Sequence, residues 1–271
     1  MATKTRIAPR TALFLPASNP RALAKARTLD ADLIILDLED AVKPEDKESA
    51  REAAAEALAE GFGGKPVAVR INGETTPHHG PDMIAMRTTS ADYIVVPKAE
   101  TVKSVDNVFS VTMKPLLTMI ETPLGVFGAR DIAARTHVHG LIAGTNDLRA
   151  EIGIPASSSR AGLLLSLQMI VLAASAGDAW ALDGVYNALD DAEGLRAECH
   201  AGRALGFDGK TLIHPNQIVP ARDAFSPTQE ELEEARALVE AAKGGAERFR
   251  DRMIEEMHVA QARQLLARAE R

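Results

Sequence analysis

Two acids in the middle of the chain, Glu121 and Asp147, each follow a short apolar run. The runs at 115–120 and 140–144 read as strands, and the segment 125–134 between them reads as a helix. A right-handed parallel crossover sets two such strands side by side or nearly so, with their C-terminal ends on one face. Glu121 and Asp147 are therefore expected to meet there. Two converging carboxylates with room for waters suit Mg2+, which binds through one or two carboxylates plus oxygens of the substrate. The plainer alternative is that each acid only caps the helix that follows it. Two acids in consecutive units, with further acids after an earlier strand, favour the metal.

The same face gathers other chemistry. Asp37, Glu39 and Asp40 follow the apolar run 33–36, Arg70 and Asn72 follow 66–69, and Lys98 follows 93–96. Unpaired, five acids so close would repel one another, and a divalent cation removes the conflict. Arg70 is always charged and can clamp a carboxylate or an oxyanion in a forked geometry. Its alternative role is a structural pair with Glu39 or Asp37. Asp37 and Asp40 suit support of the site, held by backbone amides, better than direct metal ligation. Asp183 and His214 also end strands and suit structural roles. His78 and His79 lie in a Pro/Gly loop and read as solvated surface, and Cys199 reads as inert core.

Positioning these groups takes a regular frame. Apolar runs at 12–15, 33–36, 66–69, 93–96, 115–120, 140–144, 180–185 and 209–213 alternate with helical segments. Near-continuous apolar runs are what strands buried on both faces look like. Asn19-Pro20 marks one helix start, and Thr228 followed by acids marks another. Eight strand–helix units predict an α/β (β/α)8 TIM barrel, typically ~250 residues, with its active site at the C-terminal strand ends. An open doubly wound sheet would more often carry fewer strands and a Gly-rich nucleotide loop. The barrel is expected over 1–243, with 243–245 as a linker. A C-terminal helical tail follows over 244–271, its helix running from 253 to 268.

Composition narrows the partners. The chain has 271 residues, 46% hydrophobic, and a net charge of −7. That balance points away from nucleic acid and anionic membranes. One cysteine excludes an intrachain disulfide and a cysteine zinc cluster, and favours a reducing cytoplasm. The N-terminal apolar run, 11–16, is too short for a secretory leader, and no run approaches the ~18 residues of a membrane span. A soluble cytoplasmic protein is expected.

The sequence resembles the citrate lyase β-subunit-like proteins of the HpcH/HpaI aldolase group. The resemblance rests on ALFLPASNP (12–20), ILDLEDAV (35–42), VRING (69–73), VVPKAE (95–100), IETPLG (120–125), GTNDL (144–148), LDGVY (182–186), ALGFDGKTLIHPNQI (204–218) and RMIEEMHVAQA (252–262). It implies TIM barrels assembled as homotrimers or hexamers, using Mg2+ to make or break a carbon–carbon bond in 3-hydroxyacyl-CoA thioesters such as citryl-, malyl- or citramalyl-CoA. Carried over, it makes Glu121 and Asp147 the metal ligands and Arg70 the group on the substrate. Phe14, Arg21 and Lys25 fall where such enzymes meet coenzyme A. Three positions depart from the family's pattern. Ala17 replaces a glycine in the first loop. Asn146 stands before the metal-binding aspartate, where an acidic or small residue is usual. Glu255 replaces the catalytic aspartate that reaches a neighbouring subunit's site.

The leading expectation is a Mg2+-dependent CoA-ester lyase, with Arg70 and Glu255 catalytic. The alternatives are an aldolase on free 2-oxo acids, an acyl-CoA thioesterase whose water Asn146 holds, and a non-catalytic binding subunit. The tail's apolar stripe at Ile254, Met257, Ala260 and Leu265 needs a surface to bury against. That surface is the chain's own outer helices or, as the resemblance favours, a neighbouring subunit.

Overall fold

The computed structural model describes residues 7–155, 157–242 and 244–269. Lys243, where the sequence places the end of the barrel domain, lies outside them. The eight strands expected from the apolar runs form a closed parallel barrel. They are β1 (Thr11–Pro16), β2 (Leu33–Asp37), β3 (Val67–Arg70), β4 (Tyr93–Val96), β5 (Leu116–Ile120), β6 (Val138–Ala143), β7 (Trp180–Asp183) and β8 (Gly209–Leu212). The ring closes where β1 pairs with β8, Ala12 opposite Thr211. β2, β3 and β5 are buried along their whole length. That is why they read as unbroken apolar runs rather than alternating ones.

Helices α1 (Pro20–Ala26), α2 (Lys47–Glu60), α3 (His79–Arg87), α4 (Val102–Thr112) and α5 (Pro123–Ala133) follow the first five strands. Local signals set their starts. Asn19 accepts from the Ala22 amide ahead of Pro20, and Thr122 accepts from the Gly125 amide ahead of Pro123. Beyond β6 come α6 (Thr145–Ile152) and α7 (Leu164–Ala176), then α8 (Ala192–Leu205) after β7. After β8 the chain forms α9 (Ile218–Phe225) and α10 (Gln229–Ala241), the latter opened by a reciprocal Thr228–Glu231 capping box.

Three local expectations fail. The long connection that the sequence suggests over 149–160 opens inside a helix. Its residues favour helix, and α6 runs until Gly153 ends it at φ 78°. Asp147 therefore sits in the first turn of a helix and not on a strand end. α9 is also absent from the sequence reading, because Pro220 looks like a breaker, yet it lies within the first turn, where proline is tolerated. The tail helix begins later than expected. Residues 247–254 form a hairpin, β9 (Glu247–Phe249) and β10 (Arg252–Ile254), before α11 (Glu256–Ala269).

The tail's apolar side is covered. Val259 and Ala262 of α11 pack with Phe249 and Ile254 of the hairpin and with Ala235 and Leu238 of α10. Arg268 reaches back to donate to the Asp208 carbonyl at 2.7 Å. Met253 and Met257 stay exposed. Among the described residues no helix is long and apolar enough to cross a membrane.

A buried charge network secures the closing strands. Asp183, at the end of β7, pairs with Arg160 and with Lys210 of β8, at 3.1 Å from its Nζ. Lys210, fully buried, also meets Glu198 of α8 at 2.7 Å. Asp183 thus has the structural role the sequence suggests. Cys199 is buried, and burial pushes its thiol up to about 11. Removing one partner from such a network strands the others in low dielectric. Lys210→Met should therefore cost about 3–5 kcal/mol in urea denaturation. A cost below about 1 kcal/mol, the range of an exposed pair, would contradict this.

Candidate active site at the barrel's C-terminal end

Arg70 ends β3 with little contact to solvent, and two elements fix it. Its Nε and Nη2 donate to the two carboxylate oxygens of Asp37, at the end of β2, at 2.7 and 2.5 Å. Asp37 is itself locked: its oxygens also accept from the Glu39 and Ala41 amides at 2.8 and 3.1 Å. Below the turn, Lys47 of α2 donates to the Leu38 and Glu39 carbonyls at 2.8 and 2.6 Å. The guanidinium carbon lies 5.0 Å from the centre of the Phe14 ring. Burial works against the charge on Arg70, but the hydrogen bonds and charge of Asp37 more than offset it, and its pKa ends above the ordinary value.

The fork to Asp37 leaves Nη1 free of that carboxylate. It faces Glu39 Oε2 at 3.2 Å and Asp40 Oδ2 at 3.4 Å. The two acids differ. Asp40 is 62% exposed at its side chain and lines the cavity. Glu39 is buried, its Oε2 accepts no hydrogen bond, and burial pushes its carboxyl up to about 8 against the pull of Arg70.

Glu121 follows β5 and is buried. Its Oε1 accepts the Lys98 backbone amide at 2.7 Å. Burial, with a smaller push from Asp147, raises its carboxyl to about 7. The turn after β6 passes close beneath it. A Cβ on Gly144 would stand 2.2 Å from Glu121 Cβ and 2.5 Å from Oε2, so the approach requires glycine. Two residues beyond Thr145, Asp147 lies half-buried at the cavity, its Oδ2 3.9 Å from Lys98 Nζ. The structure therefore brings Glu121 and Asp147 to one cavity, although one starts from a strand end and the other from a helix. Glu121, Asp147, Arg70, Met119 and Phe14 line a cavity of about 360 Å³.

Among the described residues no group of three or more His, Cys, Asp or Glu side chains converges as a metal cage. A pair of oxygen ligands beside an open cavity suits an octahedral cation that keeps waters and takes oxygens from a ligand. The desolvated Glu121 carboxyl, flanked by a second acid, is the donor such an ion would relieve.

Other predicted residues fall around this centre or away from it. Asn146 is exposed at the cavity and exchanges amide hydrogen bonds with Asn187, at 2.7 and 3.3 Å. Arg21 and Lys25 lie on the exposed side of α1. Glu255 is exposed ahead of α11, its amide donating to His258 Nδ1, and is not among the residues lining the cavity. His79 is not solvated. It is buried with Nδ1 2.8 Å from the Asn72 carbonyl, in a network where Asn72 donates to Asp82 at 2.6 Å and does not line the cavity. His214 accepts from the Asn216 amide and caps a short turn. Sequence reasoning misses Lys47, Gly144 and Asn187, and assigns Lys98 no role. Lys98 leaves a trace, a Pro-Lys directly after an apolar run. Lys47 leaves none.

Comparison with known proteins places these features in context. The HpcH/HpaI aldolase/citrate lyase family model matches residues 10–215. The (3S)-malyl-CoA thioesterase of Cereibacter sphaeroides is 41% identical over 270 residues, covering 96% of this chain and 94% of that protein. A citrate lyase subunit beta-like protein of Mycobacterium tuberculosis is 34% identical over 95% of this chain and 94% of its own. A crystal structure of M. tuberculosis CitE in complex with magnesium, acetoacetate and coenzyme A superposes with a TM-score of 0.85 at 32% identity, over 99% of this chain and 100% of that one. The barrel, the ordered motifs and these likenesses together make the chain a member of the HpcH/HpaI aldolase/citrate lyase family.

Proposed function

We propose that the protein is a Mg2+-dependent carbon–carbon lyase acting on a 3-hydroxyacyl-CoA thioester of the citryl-, malyl- or citramalyl-CoA type, releasing a shorter acyl-CoA and a 2-oxo acid. The observation that carries this reading is the convergence of Glu121, Asp147 and the Asp37-anchored Arg70 on one cavity. The binding of magnesium, acetoacetate and coenzyme A by M. tuberculosis CitE supports it.

Glu121 and Asp147 would hold the ion, their geometry leaving the remaining positions to water and substrate oxygens. When bound, Mg2+ supplies Lewis-acid polarisation and a template for the oxo acid's oxygens. Arg70 is preorganised by Asp37, so its Nη1 can meet an oxyanion without reorganising as charge develops. Phe14 closes the apolar side of the cavity against the guanidinium face. Arg21 and Lys25, exposed at i, i+4 spacing on α1, would meet coenzyme A phosphates. Glu255, which does not line its own cavity, would supply the proton to a neighbouring subunit in a homotrimer or hexamer. Exposed Met253 and Met257 beside it support a face that packs on that neighbour.

The thioesterase reading shares every one of these residues, and the 41% identity to a (3S)-malyl-CoA thioesterase favours it. The Asn146–Asn187 pair at the cavity would then orient the hydrolytic water. Products separate the two. With malyl-CoA and Mg2+, a lyase yields acetyl-CoA and glyoxylate, whereas a thioesterase yields free coenzyme A and intact malate. Release of malate without glyoxylate would overturn the lyase.

Glu121→Gln keeps the shape and removes the charge, so turnover should fall about 100-fold with the fold intact by circular dichroism. Wild-type turnover at limiting Mg2+ would contradict the assignment. Arg21→Ala with Lys25→Ala should raise KM for the CoA thioester, and the increase should shrink as salt screens the lost contacts. An unchanged KM would favour the free-acid aldolase. Glu255→Ala should lose activity while light scattering shows the same oligomer, and Glu255→Asp should retain activity. A fully active Glu255→Ala protein would remove this residue from the mechanism.

A further inference from the structure

Lys98 belongs to neither the apolar frame nor the ligand pair, yet it touches both halves of that pair. Its backbone amide donates to Glu121 Oε1 at 2.7 Å, and its Nζ lies 3.9 Å from Asp147 Oδ2. It does so from φ 47°, the left-handed region that a non-glycine residue adopts at a cost. The strained turn directs the amide at one carboxylate while the side chain runs back to the other. Half of the side chain is exposed, so the ammonium can leave without uncovering the core.

Resting on the metal site proposed above, we propose that Lys98 is a positioning residue whose ammonium is the resident cation of the Glu121–Asp147 pair and is displaced when Mg2+ enters. Metal affinity is then set by a competition between the ion and this lysine. Two adjacent acids without a cation repel, and Lys98 offsets part of that repulsion in the metal-free protein. The same positive charge opposes the incoming ion. A residue that merely supported the site would act in the opposite direction, and its loss would weaken binding.

The test is Mn2+ affinity, measured by electron paramagnetic resonance and calorimetry on the full-length protein, for wild type, Lys98→Met and Lys98→Arg. Methionine keeps an unbranched chain, one atom shorter, and the same backbone penalty but carries no charge. One charge at this distance, screened by half-exposure, should make Lys98→Met bind Mn2+ about five- to tenfold more tightly. Lys98→Arg should stay within about twofold of wild type, because the charge is retained. The metal-induced rise in Tm should be larger in Lys98→Met, whose metal-free form has lost its internal cation. Unchanged or weaker binding by a folded Lys98→Met overturns the role of Lys98 alone. A wild type that binds no Mn2+ overturns the metal site with it.

Discussion

Five carboxylates crowd one end of this barrel, and the architecture there is the means by which they coexist. Asp37 is neutralised by a forked arginine and two amides. Glu121 has one amide, and Asp147 has a lysine at longer range. Glu39, without a hydrogen bond to Oε2, is pushed up by burial to about 8 against the pull of Arg70. Asp40 is left mostly to solvent, so each acid is accommodated in a different way, which separates their chemistry despite their proximity. The Asp37–Arg70 pair is spent on rigidity. Glu121 and Asp147, satisfied only in part, keep the capacity to take up a cation.

The barrel was legible because its strands are buried on both faces. β2 and β5 read as unbroken apolar runs, and the residue that follows each run falls at the barrel's C-terminal end. That single rule finds Glu121. It locates Asp147 correctly but for an incomplete reason, since Asp147 rides on the first turn of α6. A short helix without a side-chain cap leaves little periodicity to detect. The hairpin of β9 and β10 escapes for a related reason: three-residue strands carry too few positions to alternate. His79 shows the converse failure. Its Pro/Gly surroundings suggest solvent, yet a long-range bond to the Asn72 carbonyl buries it. Lys47 has a similar origin, because tertiary contacts with carbonyls of the acidic turn leave no pattern in the local sequence.

Lyase and thioesterase chemistry begin from the same bound thioester, and on the proposed reading the groups held here would serve both. Arg70 and Glu121 stand at strand ends, Asn146 and Asp147 on the first turn of α6, Asn187 in the connection after β7 and Glu255 in the tail. Strand ends and the first turn of α6 would thus carry what the two reactions share, and Asn146, Asn187 and Glu255 what could distinguish them. A family can change its reaction on such a plan without disturbing its core.

Anomalous diffraction from crystals soaked in Mn2+ and a 2-oxo acid tests directly whether a divalent ion binds between Glu121 and Asp147. The expected result is one strong peak bonded to carboxylate oxygens of both residues, with oxo-acid density completing its coordination. No peak at this pair, or a peak held by other residues while both carboxylates remain unligated, would contradict it.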